Sequence, residues 1–326
     1  MITITLAQLN VTVGDMDGNV RQMVAAAQRA RDDGAELVVF SELSLTGYYP
    51  GDLLDEPHFM ARVAVGFEAL LQASRQMPAL HWVVGLPAAH GGPGKPLRIV
   101  LRVVRAGEVL LEYAKQLLPT YNIFDERRHF EPGPDVAKVL RIGTAQVGFL
   151  ICEDGWNDDG SGYTVNPFER LRDAAPDLVV SINASPSHIG KREQRHQIFA
   201  AASHRNQLPI LYVNQVGGHD QLVYDGASFA VEPKAGVVFE AQRFAEDVTT
   251  LRFEASGFRD ARGGALPAVP AEGLSTLAFY REQIVLGLRD YARRCGFTQA
   301  VVGSSGGIDS ALTLALAAEA LGPQNV

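Results

Sequence analysis

The chain has 326 residues, 47% of them hydrophobic, enough for one large or two medium domains with a substantial core. Its formal net charge is −8, from 29 Lys+Arg against 37 Asp+Glu, which argues against nucleic acid or an anionic membrane surface as the main partner. Two cysteines are too few for a disulfide framework and point to a reducing, cytoplasmic setting, and no apolar run reaches the roughly 18 residues needed to span a membrane.

In chain order, Ile2 to Leu9 alternates like a strand, and the segment lacks the basic and apolar regions of a signal peptide. Asn19 to Asp33 reads as a helix stopped by Gly34. Glu36 to Phe40 is a short apolar strand before a turn-rich loop, Leu45 to Asp55; Phe59 to Met77 is helical, and Trp82 to Leu86 is a strand. Leu97 to Val104 and Glu108 to Tyr113 flank Arg105-Ala106-Gly107, a hairpin signal. Val147 to Ile151, Leu178 to Ile182 and Ile210 to Val213 read as strands, with a helix from Arg192 to Gln207. Pro233-Lys234-Ala235-Gly236 turns between two further strands within Phe229 to Phe239. Repeated β-then-α order with hairpins predicts a layered α/β sandwich with mixed sheets. Residues 256–272 are rich in Gly, Pro and Ala and read as a linker between a first domain, 1–255, and a segment 273–326. Leu274 to Arg294 is then helical, with Gly296 placed to end it.

Three polar residues stand at the ends of apolar strands: Glu42 after Leu37 to Ser41, Lys115 after the strand ending at Tyr113, and Cys152 after Val147 to Ile151. Strand ends in α/β sheets open into the crevice where ligands bind. A thiol, a carboxylate and a fixed cation are the parts of acyl transfer: nucleophile, proton shuttle and oxyanion partner. By spacing alone each also has a plain reading, as a small buried hydrophobe, a turn cap and a solvated lysine. Cys295, at a helix end before Gly296, reads as structural. The eight histidines, His188, His196 and His204 among them, show no metal-site spacing.

The local sequences decide between these readings. Phe40-Ser41-Glu42-Leu43-Ser44-Leu45-Thr46-Gly47-Tyr48 resembles the glutamate motif of the nitrilase superfamily of amidases. Tyr113-Ala114-Lys115-Gln116-Leu117-Leu118-Pro119 resembles its lysine motif, and Ile151-Cys152-Glu153-Asp154-Gly155-Trp156 its cysteine motif, in the family's order. The resemblance implies a four-layer αββα sandwich. It implies Cys152 as nucleophile, Glu42 as general base and acid, Lys115 as oxyanion partner and the Glu153 backbone N–H as the rest of the oxyanion hole. It also implies an auxiliary glutamate, for which Glu126 stands in a matching context, with Asp125 and Glu131 close by. Such sandwiches commonly pair, so a homo-oligomer through this domain is expected.

Two further stretches, Lys115 to Glu126 and Asn183 to Lys191, together with Tyr212 to Asp220, resemble the glutaminase branch found in glutamine-dependent NAD+ synthetases. That likeness implies L-glutamine as substrate, with Tyr121, Ser185 and Lys191 on its amino-acid end and Tyr48 and Phe124 lining the pocket. The charged α-groups of glutamine need polar partners once desolvated, and Lys191 suits the carboxylate as a point charge where arginine would grip it with two bonds.

Near the C-terminus, Ala300-Val301-Val302 reads as a buried strand. It is followed by a glycine loop, Gly303-Ser304-Ser305-Gly306-Gly307-Ile308-Asp309-Ser310, and a helix, Ala311 to Ala320. Glycines let backbone N–H groups approach phosphate at a helix N-terminus. No Gly-Lys-Ser/Thr follows, so the loop is not a Walker A, and residues 299–326 contain neither Lys nor Arg. The segment resembles the PP-loop of N-type ATP pyrophosphatases. That implies the opening elements of a Rossmann-like synthetase domain, ATP with Mg2+ (Asp309 the candidate ligand), and deamido-NAD+ as the acceptor of ammonia. A domain of that kind needs more chain than follows the loop, so the segment is expected to be its beginning. The alternatives are a free-standing amidase or carbamoylase, and a non-enzymatic nucleotide-binding scaffold.

Overall fold

The computed structural model describes residues 1–255 and 257–326. In chain order its elements begin with β1 (Ile2–Gln8), α1 (Met16–Asp32), β2 (Leu37–Val39), α2 (Pro57–Arg75), β3 (His81–Ala89), β4 (Leu97–Arg105) and β5 (Glu108–Ala114). There follow β6 (Val139–Ile142), β7 (Ala145–Ile151), α3 (Pro167–Ala174), β8 (Leu178–Ile182), α4 (Lys191–Asn206) and β9 (Ile210–Val213). The chain continues through β10 (Val216–His219), β11 (Leu222–Asp225), β12 (Phe229–Glu232), β13 (Gly236–Glu240), β14 (Asp247–Glu254), β15 (Gly257–Asp260), α5 (Thr276–Cys295) and α6 (Ile308–Leu321).

Two mixed sheets carry the sandwich: β15-β14-β1-β2-β3-β4-β5 and β13-β12-β9-β8-β7-β6. Strands such as Leu37–Val39 and Leu178–Ile182 are buried throughout, because each is covered on both faces. One apolar core joins the first sheet, with Phe40, Trp82 and Leu101, to Phe149 and Ile151 of the second. A separate cluster of Phe168, Leu171, Phe199, Tyr212 and Phe229 fixes α3 and α4 on the outer face of the second sheet. Helices α1 and α2 pack against each other and against the first sheet. The result is the nitrilase-like αββα arrangement that the motifs imply.

Strand direction decides where the polar residues emerge. β2 and β3 are parallel, β4 is antiparallel to β3, and β5 is antiparallel to β4, so β2 and β5 end on the same side. In the other sheet β7, β8 and β9 run parallel and also end together. The chain after β2 is threaded tightly over β3. A Cβ on Gly85 would stand 2.6 Å from the Leu43 nitrogen and 2.7 Å from the Ser41 oxygen.

Several expectations need correction. Residues 257–260, assigned to the linker, form edge strand β15 paired with β14; Ser256, the first residue of that linker, lies outside the described residues. Residues 300–302 form no strand, and Val301 is fully exposed. A lone apolar triplet needs a strand to pair with, and among the described residues its one backbone bond outside helices and strands is from the Ala300 N–H to the Asn325 carbonyl at 2.9 Å. Helix α6 begins at Ile308, so Ile308, Asp309 and Ser310 occupy its first turn rather than the loop. The strands β6, β10, β11 and β14 and the helix α3 were not foreseen, being short or polar.

Helix α5, closed by Gly296 in the left-handed conformation, docks on the sandwich. Asp290 accepts from Asn10 Nδ2 and the Gly218 N–H at 2.8 Å each, and Arg294 donates to Asn10 Oδ1 and the Val11 carbonyl. Gln283 accepts from Ser187 Oγ at 2.9 Å. Leu277, Ile308 and Leu312 of α5 and α6 stay exposed. No helix among the described residues is long and apolar enough to cross a membrane.

Gly85→Ala is expected to destabilise the protein by about 1–3 kcal/mol, because the new methyl meets backbone that can move only with the Ser41–Leu43 turn. Urea unfolding checks this; wild-type stability would show that the turn is free to shift.

Candidate active site

The strand ends meet around one ammonium. Lys115 Nζ donates to Glu42 Oε1 and to Glu126 Oε1, both at 2.7 Å, and all three side chains are at most 1% exposed. Glu42 and Lys115 come from the first sheet. The second sheet answers through the end of β8: the Ala184 N–H donates to Glu42 Oε2 at 3.1 Å, and the Glu42 N–H to the Asn183 carbonyl at 3.3 Å. The sequence puts Glu126 in the auxiliary position, with Asp125 and Glu131 close by. Only the Glu126 side chain turns inward; Asp125 is exposed, and Glu131 accepts from the Lys95 N–H. Tyr48 donates its hydroxyl to Glu126 Oε1 at 2.7 Å.

Burial works against the charge on Lys115, but Glu126 and Glu42 outweigh it and hold the ammonium protonated well above the usual lysine range. Burial raises the Glu126 carboxyl to about 7 against the pull of Lys115, and Glu42 adds to the rise. Glu126 Oε2, which makes no hydrogen bond among the described residues, is free to carry that proton.

Cys152 follows β7 in the left-handed region (φ 45°) and opens a 3-10 turn through Gly155. Its thiol is held well above the usual range by burial and by Glu42, while Lys115 pulls it down. Asp154, two residues on, staples this turn to the lysine segment. Its Oδ1 accepts from the N–H groups of Gln116 (2.9 Å) and Leu117 (2.8 Å), and its Oδ2 accepts from Tyr113 Oη (2.8 Å). Burial pushes the Asp154 carboxyl up to about 6, against these donors.

The residues expected to line the pocket surround this centre. Phe124 packs edge-on to both Tyr48 and Tyr121, at 6.5 and 5.6 Å between ring centroids. Tyr121 and Tyr163 donate their hydroxyls to the Glu153 carboxylate at 2.8–3.0 Å. Lys191 Nζ stands 3.9 Å from the centroid of the Trp156 ring. Its pKa is lowered to about 8, by burial first and by Arg195 second. Ser185 is buried, and its Oγ accepts from Arg195 Nε at 3.1 Å. Arg195 is itself buried against Asp225 at 2.8 Å. Tyr163 and Arg195 lie outside every sequence motif, and only Asp154 falls inside one, the cysteine motif.

The loop Gly303–Ser310 is a separate place. It is exposed and closed on itself: Ser310 Oγ donates to the Gly307 carbonyl at 2.9 Å, and the Ser305 N–H donates to Ser310 Oγ at 3.3 Å. Gly307 caps α6 without a side-chain bond, so the first N–H groups of that helix remain open.

A thiol beside a buried carboxylate–ammonium cluster, at the meeting of two sheets, defines a carbon–nitrogen hydrolase of the nitrilase type. Residues 3–262 match the carbon-nitrogen hydrolase family model, and the chain belongs to that family. Residues 280–326 match the NAD synthase model. The chain is 37% identical to a glutamine-dependent NAD(+) synthetase of Synechocystis sp., over all of this chain and 59% of that protein. It is 38% identical to one of Rhodobacter capsulatus, over 99% and 56%. Among solved structures it resembles the glutamine-dependent NAD+ synthetase of Acinetobacter baumannii bound to ADP (TM-score 0.89, 33% identity, all of this chain and 58% of that one). The fold is also that of an amidase from Nesterenkonia sp. AN1 (TM-score 0.67, 23% identity, 78% of this chain and 94% of that one). The chain thus spans 56–60% of the length of the curated synthetases it matches.

Glu126 keeps its proton to about 7 in the fold, against an ordinary 4.5, so the folded state binds more protons between these values. Its stabilising contribution is present below pH 4.5 and is lost as pH rises through 7. Glu126→Gln is therefore expected to flatten the fall in thermal stability between pH 5 and 8. A slope equal to wild type would contradict the assignment.

Proposed function

We propose that this chain hydrolyses the side-chain amide of L-glutamine, with Glu42, Lys115 and Cys152 as its catalytic residues. The observation that carries the reading is Lys115 locked between two buried carboxylates beside a thiol on the facing sheet.

Because the Cys152 thiol is held protonated at rest, it needs a base in the act of attack. Glu42 takes the proton as sulfur bonds to the amide carbon. Lys115 and the Glu153 N–H, at the first turn after Cys152, meet the oxyanion. Glu42 returns the proton to the leaving nitrogen, and ammonia departs from the thioester. Glu42 then deprotonates water, which attacks the thioester, releasing glutamate and restoring the thiol. Glu126, with its carboxyl raised to about 7, relieves the one negative charge by which two ionised glutamates would exceed Lys115.

Glutamine is favoured over simple amides by the polar groups at the pocket. The carboxylate of Glu153, presented by two tyrosines, suits the α-ammonium; Lys191, with the Ser185 hydroxyl positioned by Arg195, suits the α-carboxylate. By likeness to the longer synthetases, the ammonia would serve deamido-NAD+ activated with ATP. The open N-terminus of α6 with Gly306 and Gly307 fits phosphate, and Asp309, in the first turn of α6, would be the carboxylate to hold Mg2+. ATP supplies the leaving group for that activation.

Ammonia release from glutamine, read against asparagine, simple amides and carbamoyl compounds, tests the reading. Glutamine is expected to be preferred, and Cys152→Ala to abolish turnover. Because Lys191 loses its charge near pH 8, kcat/KM is expected to fall above that pH, and Lys191→Arg to move the fall to higher pH. Full activity in Cys152→Ala, or a preference for another amide, would overturn the proposal.

A further inference from the structure

The turn that carries Glu126 also holds a group that amide hydrolysis leaves unused. His129 ends the short turn that begins at Glu126, and it is 4% exposed. Its Nδ1 lies 2.7 Å from Tyr49 Oη, and that hydroxyl donates its single proton to the Asp125 carbonyl at 3.4 Å. When the ring proton sits on Nδ1 and is donated to Tyr49 Oη, Nε2 presents a bare lone pair. Nε2 makes no hydrogen bond among the described residues, yet it faces Asp55 Oδ2 at 3.4 Å and Asp52 Oδ1 at 3.6 Å. Both distances exceed an ordinary N–H···O bond of about 2.7–3.2 Å. They match the edge of a tetrahedral ligand set, whose donors, about 2.0–2.2 Å from the ion, lie about 3.4 Å apart. One ligand atom from each of Asp52, Asp55 and His129 falls within 4.8 Å of the others.

We propose that Asp52, Asp55 and His129 form a binding site for a divalent first-row cation of the zinc type. An imidazole nitrogen with carboxylate oxygens suits that class, whereas calcium takes six to eight oxygens, more than this set offers. Tyr49 is the outer partner that fixes the tautomer and orientation of the ligating ring. Arg128 competes, donating to Asp52 Oδ1 at 2.8 Å, but both of its side chains are more than half exposed and such a pair yields readily. The ion would tie the 51–55 turn to the 126–129 turn, which carries Glu126, and so act as a clamp beside the Glu42–Lys115–Glu126 cluster. The site does not depend on which amide the pocket hydrolyses.

Zinc titration calorimetry on a Cys152→Ala/Cys295→Ser protein removes the competing thiols. One ion per chain is expected, with a raised unfolding temperature and, for cobalt in place of zinc, the strong visible absorption of a tetrahedral site. His129→Gln and Asp55→Asn are each expected to weaken binding about tenfold or more, and Arg128→Ala to tighten it. The Asp55 side chain is 70% exposed, so that variant folds whatever happens at His129. No stoichiometric uptake by the parent, or uptake unchanged in Asp55→Asn and His129→Gln, would overturn the proposal.

Discussion

One ammonium holds the functional end of this molecule together. Lys115 is removed from water with Glu42 and Glu126 at 2.7 Å each. Desolvating such groups costs several kcal/mol per ion and is tolerated only when the partners and hydrogen bonds are complete. Here they are nearly so: Glu42 has Lys115 and the Ala184 N–H, and Glu126 Oε1 has Lys115 and Tyr48. The excess negative charge is relieved by raising Glu126 to about 7. That arrangement gathers a charged lysine, two glutamates and a resting thiol in one buried place, the combination that the proposed amide hydrolysis uses.

The fold delivers these groups by strand direction. β2 and β5 end together in one sheet, β7 and β8 in the other, and Asp154 ties the turn after β7 to the backbone after β5. The left-handed Cys152 turns the chain sharply where the sheet ends. Helix α5, seated on β10 and the β1–α1 loop through Asp290 and Arg294, shows that the C-terminal segment is built onto the same body. Its partner α6 leaves apolar side chains such as Leu312 uncovered.

Much of this is legible in the sequence. Glu42, Lys115 and Cys152 each follow an apolar run, and the layered α/β class followed from alternating β and α patterns. Choosing Glu126 over Asp125 and Glu131 needed the structure, because three carboxylates within seven residues differ only in which one the turn points inward. Arg195 and Tyr163 were invisible because their partners, Asp225 and Glu153, are set by packing rather than by local sequence. The misplaced strand at 300–302 has the opposite cause: its apolar residues satisfy a pattern, but a strand exists only with a neighbour. Likewise, histidine spacing could not find the Asp52–Asp55–His129 group, which folding assembles from two distant turns.

The most direct test of the account is acid-quench mass spectrometry of the chain mixed with glutamine. A glutamyl group bound as a thioester to the Cys152 peptide, absent in Cys152→Ala and lost on standing, is the result the account predicts. Ammonia formed from glutamine with no adduct on Cys152 at any time, and undiminished by Cys152→Ala, would contradict it.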